Sequence, residues 1–332
     1  MAQNIPSVFE EVAPDFLASK ITYKTKLYRF DSLVSGHQDR FYFEFLRNGV
    51  KSYISTTSVI RATVPLGYGY YRWLMSMGDK AEQFRDERAV FGSAIHYESF
   101  KPLISRDTGY DFDFLKKKAP GTNWTNFQML FPRGYREAAT GWYYSFTRGL
   151  MSWFEFVRER VVEVWAVEIP LRSKKWGYAG TLDFIGLIRF NGTVVPAIID
   201  MKSHVFSPYS DENKSKDSRE SHEAQLEMSK LLWEENFGKP QVDGVEKDFK
   251  MFIFSPKAWR KKPTYDLHNL TDNRYSGMVR YGRKQIPGIH LLLLTSKMKD
   301  LPTPPSKTID IVGSFDSIRN FNWEDHVLEV EI

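Results

Sequence analysis

The chain contains no cysteine. Disulfides, thiol nucleophiles, iron–sulfur clusters and cysteine-based zinc sites are therefore excluded. It also lacks any apolar run near the roughly 20 residues that a membrane helix needs. Its most apolar stretch, Ile289 to Leu294, is far shorter. The N-terminus, MAQNIPSVFEEVAPDF, has neither a basic n-region nor an apolar h-region, so no secretory signal is read there. Internal repeats and low-complexity tracts are missing too. These absences predict a soluble, cytoplasmic protein with no membrane partner.

Charge is only mildly one-sided. Against 41 Asp and Glu stand 46 Lys and Arg, a net of +5. That permits a polyanionic partner without demanding one. What is plentiful is aromatic residues, at 15%. Such rings bury large areas, and some can serve as stacking surfaces for bases.

Periodicity divides the chain. Residues 1–50 read as a strand-rich cap: FYFEF (41–45) alternates, and Asn48-Gly49 is a turn signal. Ser55-Thr56-Thr57-Ser58 offers N-cap hydroxyls before Val59 and Ile60, and a second helix is predicted over Lys80–Phe100. Arg136–Val162 places Trp142, Phe146, Leu150, Trp153 and Val157 at helical spacing. Three runs then read as strands: VVEVWAVEIPL, AGTLDFIGLIRF and TVVPAIIDMK. A helix over Ser218–Phe237 closes at Gly238. MFIFSP (251–256) and HLLLLT (290–295) are expected as further strands, and VLEVEI as a terminal one.

The chemistry concentrates on one hairpin. Asn191-Gly192 between apolar runs is a strong two-residue turn signal. Phe190 then faces Thr193, and the same register carries Asp183 opposite Asp200. Cross-strand β-carbons lie about 5 Å apart, and like charges there are destabilising. A divalent cation between the two carboxylates would give them a purpose. Lys202, two residues past Asp200, shares that face. Asp, Asp and Lys together make a compact site for phosphodiester hydrolysis. A salt-bridged surface hairpin explains the same residues, and a bulge at Pro196 would shift the register.

Four further features bear on this site. Gly92 and His96 share a helix face, which suggests close approach of another element and offers an imidazole ligand. Gln225, on the helix after Asp200, can bond a carboxylate, the lysine or a nucleotide. Glu168 lies on the strand before Asp183, with its register open. Between Ser255 and Pro287, basic residues (Lys257, Arg260, Lys261, Lys262, Arg274, Arg280, Arg283, Lys284) outnumber acidic ones and interleave with Trp259, Tyr265, Tyr275 and Tyr281. That segment suits contact with a nucleic-acid backbone.

In order, STTSVI, Gly92-x-x-x-His96, the VE of a strand, GTLDFIG, IIDMK and a helix with Gln225 resemble the RecB-type branch of the PD-(D/E)XK nucleases. That branch includes phage exonucleases and the mitochondrial genome maintenance exonuclease. The match runs from about Tyr53 to Gly238. It implies an α/β fold, a mixed central sheet flanked by helices, with the nuclease core over 51–250 and an extension over 251–332. It further implies that His96, Asp183, Asp200 and the Met201 carbonyl hold Mg²⁺ or Mn²⁺, with Lys202 catalytic and Gln225 the glutamine of the helix motif. The expected activity is exonucleolytic hydrolysis of DNA with a free end and a single-stranded segment, in phage recombination, replication or DNA degradation. Two positions depart from the family: Leu182 stands where its proline would, and Ser229 where a tyrosine is expected.

Overall fold

The computed structural model describes residues 10–34, 37–46, 49–64, 68–104, 139–203, 216–257, 262–281 and 283–296. The chain is α/β, built on a large mixed sheet flanked by helices. Its N-terminal strands are β1 (Glu10–Val12), β2 (Phe16–Leu17), β3 (Leu27–Val34), β4 (His37–Leu46) and β5 (Gly49–Ser55). Three helices follow: α1 (Thr56–Thr63), α2 (Tyr68–Met77) and α3 (Lys80–Ile104). Next come α4 (Ala139–Arg160), then β6 (Val161–Ser173), β7 (Tyr178–Phe190), β8 (Thr193–Met201) and α5 (Lys216–Phe237). The last described elements are β9 (Gln241–Val242), β10 (Val245–Glu246), β11 (Lys250–Pro256), β12 (Tyr265–Asn269), β13 (Met278–Tyr281), β14 (Lys284–Pro287) and α6 (Gly288–Ser296).

The main sheet runs β1-β3-β4-β5-β7-β8-β11-β12, with β6 on β7 and β2 on β6. The N-terminal strands therefore continue the central sheet. Asn191 and Gly192 both take positive φ (48° and 79°), as a two-residue hairpin turn requires. The β7–β8 ladder runs unbroken from Phe190↔Thr193 through Leu187↔Pro196 to Phe184↔Ile199. No bulge occurs at Pro196. The irregularities fall instead on β6, at Val161/Glu163 and Val164/Ala166.

Two apolar layers clamp the sheet. On one side α1, α5 and α6 pack over Ile169, Leu182, Ile185, Ile198 and Ile253. On the other, α3 and α4 pack over Val167, Phe184, Ile199 and Phe254. Trp153 on α4 is fully buried and meets Phe100, Phe184 and Phe254 edge-on. Such pairs add to area burial because ring edges and faces carry opposite partial charge.

The HLLLLT segment corrects the expectation of a strand: it lies in helix α6. Ile289 and His290 are adjacent and both buried, which a one-sided strand does not allow. An all-apolar run has no readable period, so the sequence could not separate the two. VLEVEI lies outside the described residues.

Gly186 sits opposite the β6 irregularities. A β-carbon there would stand 2.1 Å from the Glu163 carbonyl oxygen. Backbone cannot swing aside as a side chain can. Gly186→Ala should therefore destabilise the fold by about 2–3 kcal/mol, measured by denaturant titration.

Behind β5, Arg172 forks onto the Glu44 carboxylate at 2.8 and 2.9 Å, and Tyr53 donates to it at 3.0 Å. Burial opposes ionisation of Glu44, but these partners outweigh it and hold its carboxyl below the ordinary 4.5. A depressed carboxyl stabilises the fold above the unfolded pKa, and that contribution is lost as pH falls through the folded one. Glu44→Gln should cost about 3 kcal/mol at neutral pH, since it strands a buried guanidinium. The gap to wild type should close below pH 4.5 in melts run across pH.

Candidate active site

A fork in the sheet creates the site. β6 occupies one edge of β7 along its length. On the other edge β5 pairs parallel at Ile54↔Tyr178 and Ser55↔Ala179, and β8 takes over only from Phe184 onward. Between the two, the segment from Gly180 to Asp183 has no ladder partner on that edge among the described residues. β8 turns away there toward β11, where Lys202 N–H bonds the Phe254 carbonyl at 2.9 Å. The Asp183 side chain fills the break, its Oδ2 accepting from Met201 N–H at 2.8 Å.

Side-chain alternation also breaks at this point. Ile169 and its partner Leu182 face the α1/α5 layer, yet Val167 and its partner Phe184, two residues away, face the α3/α4 layer. Glu168 lies at the break with φ of 49°. A left-handed glutamate is uncommon and strained, and such strain gathers at functional positions. The register that the sequence left open now places Glu168 between Val167↔Phe184 and Ile169↔Leu182, opposite Asp183.

The ligand atoms of His96, Glu168 and Asp183 lie within 4.8 Å of one another. His96 comes from α3. Its Nδ1 is 3.2 Å from Glu168 Oε1 and 3.9 Å from Asp183 Oδ2, and its Nε2 is 2.9 Å from the Met201 carbonyl. Phe100 meets the ring edge-on and fixes its plane. Both imidazole nitrogens thus face acceptors, which suits the charged form. Burial would lower the pKa of His96, but Asp183, Glu168 and the Met201 bond hold it up at about 9. The carboxyl of Asp183 is raised as well: burial lifts its pKa, His96 opposes, and the charges of Glu168 and Asp200 add to the rise.

Gly92 is not a close-approach glycine. Among the described residues, a β-carbon there would meet only Ser203 Oγ, at an ordinary 3.8 Å. The contact still sets α3 beside the end of β8, and that brings His96 to Met201.

Asp200 is buried next to this cluster. Gln225 Nε2, from α5, donates to its Oδ1 at 3.1 Å. Lys202 Nζ lies 2.6 Å from Oδ2, off the line of a hydrogen bond, so that buried oxygen has an ion-pair contact alone. Ser229, one turn beyond Gln225, bonds back to the Gln225 carbonyl at 2.8 Å. The sequence-predicted set His96, Glu168, Asp183, Asp200, Met201, Lys202 and Gln225 is thus brought together.

Comparison of the chain with protein-family models and with curated proteins finds no match. Its function is read from its own site.

That site opens into a cleft of about 650 Å³ lined by His96, Glu168, Asp183 and Gln225. Asp15, Arg29, Arg40 and Tyr42 line it as well, and none of these carried a signal in the sequence. Asp15 comes close to Glu168, and burial together with that charge holds its carboxyl above the usual range. The basic C-terminal segment is placed elsewhere. Lys257 pairs with Asp266 and Lys262 with Glu155 and Glu159, while Arg280, Arg283 and Lys284 are exposed on the β13–β14 hairpin. None of these five lines the cleft. Trp259, Arg260 and Lys261 lie outside the described residues.

A divalent cation fits these residues. Two carboxylates, an imidazole and a backbone carbonyl converge, and a third carboxylate beside them keeps an oxygen without a hydrogen bond. Among the described residues, no helix is long and apolar enough to cross a membrane.

Proposed function

We propose that the chain is a Mg²⁺- or Mn²⁺-dependent deoxyribonuclease of the PD-(D/E)XK type, acting as an exonuclease on DNA with a free end. The observation that carries this reading is the sheet fork. It brings His96, Glu168 and Asp183 to one cleft, with Asp200 beside them held by Gln225 and paired with Lys202.

His96, Glu168 and Asp183 would hold the cation, with Asp200 and the Met201 carbonyl beside it. The chemistry such a cation supplies is polarisation of a phosphoryl oxygen and acidification of water. The protein's own groups do the rest. Gln225 holds the Asp200 carboxylate in orientation. Lys202 sets a positive charge against Asp200, where it orients an attacking water or stabilises charge growing on phosphate. His96 is kept in place by Phe100 and the Met201 carbonyl.

Metal binding is testable apart from turnover. At a concentration one hundred times its Kd, Mn²⁺ or Mg²⁺ should stabilise the fold by about 2.7 kcal/mol, seen as a rise in Tm. Asp183→Asn should remove most of that rise. An equal rise in the variant would take Asp183 out of the metal site.

The deciding assay incubates the purified protein with end-labelled linear single-stranded and double-stranded DNA and with covalently closed circles, in Mg²⁺, Mn²⁺ or EDTA. An exonuclease degrades the linear forms only, and only with metal. Cleavage of closed circles would make it an endonuclease with the same core. No cleavage of any substrate would leave a nucleic-acid-binding role at most.

A further inference from the structure

The cleft has a second wall that this chemistry does not use. Arg29 on β3 and Arg40 and Tyr42 on β4 line the same cleft as the metal-ligand cluster. Arg29 pairs with Tyr42 across the strands, and Arg40 lies two residues before Tyr42, so the three stand on one face. Tyr42 Oη meets Thr181 Oγ1 at 3.1 Å, and Thr181 lies two residues before Asp183. The wall is therefore continuous with the site.

An anion already sits on this wall. The Glu10 carboxylate is ion-paired with the Arg29 guanidinium, and both residues line the cleft. Glu10 belongs to β1, a strand of three residues that, among the described residues, pairs only with β3. Its side chain is 63% exposed, and ion pairs this exposed are weak because water and salt screen them. A phosphodiester can make the same contact, with guanidinium forking onto two oxygens at once.

We infer that Arg29 and Arg40 form the subsite for a DNA phosphate next to the one cleaved, and that Glu10 occupies Arg29 in the free protein until the strand displaces it. The inference rests on the nuclease reading and adds to it: affinity comes from the N-terminal strands, and the acidic first strand tempers it.

The test is fluorescence anisotropy of a labelled oligothymidylate on the full chain, with Ca²⁺ in place of Mg²⁺, across a salt series. Arg29→Ala and Arg40→Ala should each weaken binding about tenfold and lower the slope of log K against log salt by about 0.7, the loss expected for one single-strand phosphate contact. Lysine at either position should restore most of the slope, since the charge returns. Glu10→Gln, at an exposed site that does not threaten folding, should tighten binding about threefold, the yield of releasing one exposed ion pair. In an Arg29→Ala background Glu10→Gln should change nothing. If wild type binds but the arginine variants match it in affinity and slope, the subsite is wrong and the nuclease reading stands. If Glu10→Gln binds no tighter, the carboxylate does not compete for Arg29. If wild type neither binds nor cleaves DNA, the nuclease reading falls and takes this subsite with it.

Discussion

Asp200→Asn should reduce metal-dependent DNA cleavage by about a thousandfold or more, the several kcal/mol that positioned charge supplies at a phosphoryl centre. The side chain is nearly isosteric, so Gln225 keeps an oxygen to bond and the core around Ile198 and Ile253 stays packed. What disappears is the negative charge beside Lys202 and the cation. Tm should change little, because loss of the Lys202 pair is offset by relief of the repulsion between Asp200 and Asp183, and binding of an oligonucleotide in Ca²⁺ should persist. Asp200 is buried beside a lysine at 2.6 Å, so a purely structural role predicts a different outcome. Removing one partner of a buried pair strands the other and costs about 3–5 kcal/mol of stability. Activity and Tm measured on one preparation separate the two. Cleavage at wild-type rate by the pure variant would end the nuclease assignment.

Glu168→Gly should cut activity without a loss of stability. Glu168 is held at φ 49°, where a side chain is strained and glycine is not. Relief of that strain, together with removal of one of three crowded carboxylates, should leave the metal-free fold unchanged or firmer by about 1 kcal/mol. Cleavage should fall by about a hundredfold, because the variant loses both a ligand oxygen and the group that holds His96 Nδ1 at 3.2 Å. Glu168→Gln keeps the strain and a weaker ligand, and should lose activity without gaining stability. A drop in both quantities for the glycine variant would make Glu168 a structural residue.

Much of this was legible in the sequence because it is local. The Asn191-Gly192 turn requires positive φ at both residues, and it set a register that holds as far as Phe184↔Ile199. From that register followed the neighbourhood of Asp183 and Asp200, with Lys202 beside them. The helix bearing His96, the α5 helix and its stop at Gly238 were likewise readable from spacing and caps. Where local signals were silent, the reading stopped. HLLLLT offers no period, so strand and helix could not be told apart.

Only the tertiary structure decided how the site is assembled. That β5 and β8 share one edge of β7, and part between Ala179 and Phe184, is a property of three strands whose pairing no single segment encodes. The left-handed turn of Glu168 follows from that strand pair losing its alternation, not from any preference of glutamate. Arg29 and Arg40, unremarkable in the sequence, become cleft residues because β3 and β4 extend the same sheet. The basic C-terminal segment shows the converse: clustered in sequence, its described cations Lys257 and Lys262 are paired with acids away from the cleft. Turn chemistry and side-chain period act over a few residues and are written in them. Which strands meet at an edge depends on packing across the whole core, and that is where the hairpin of Asp183, Asp200 and Lys202 acquired His96, Glu168 and its cleft.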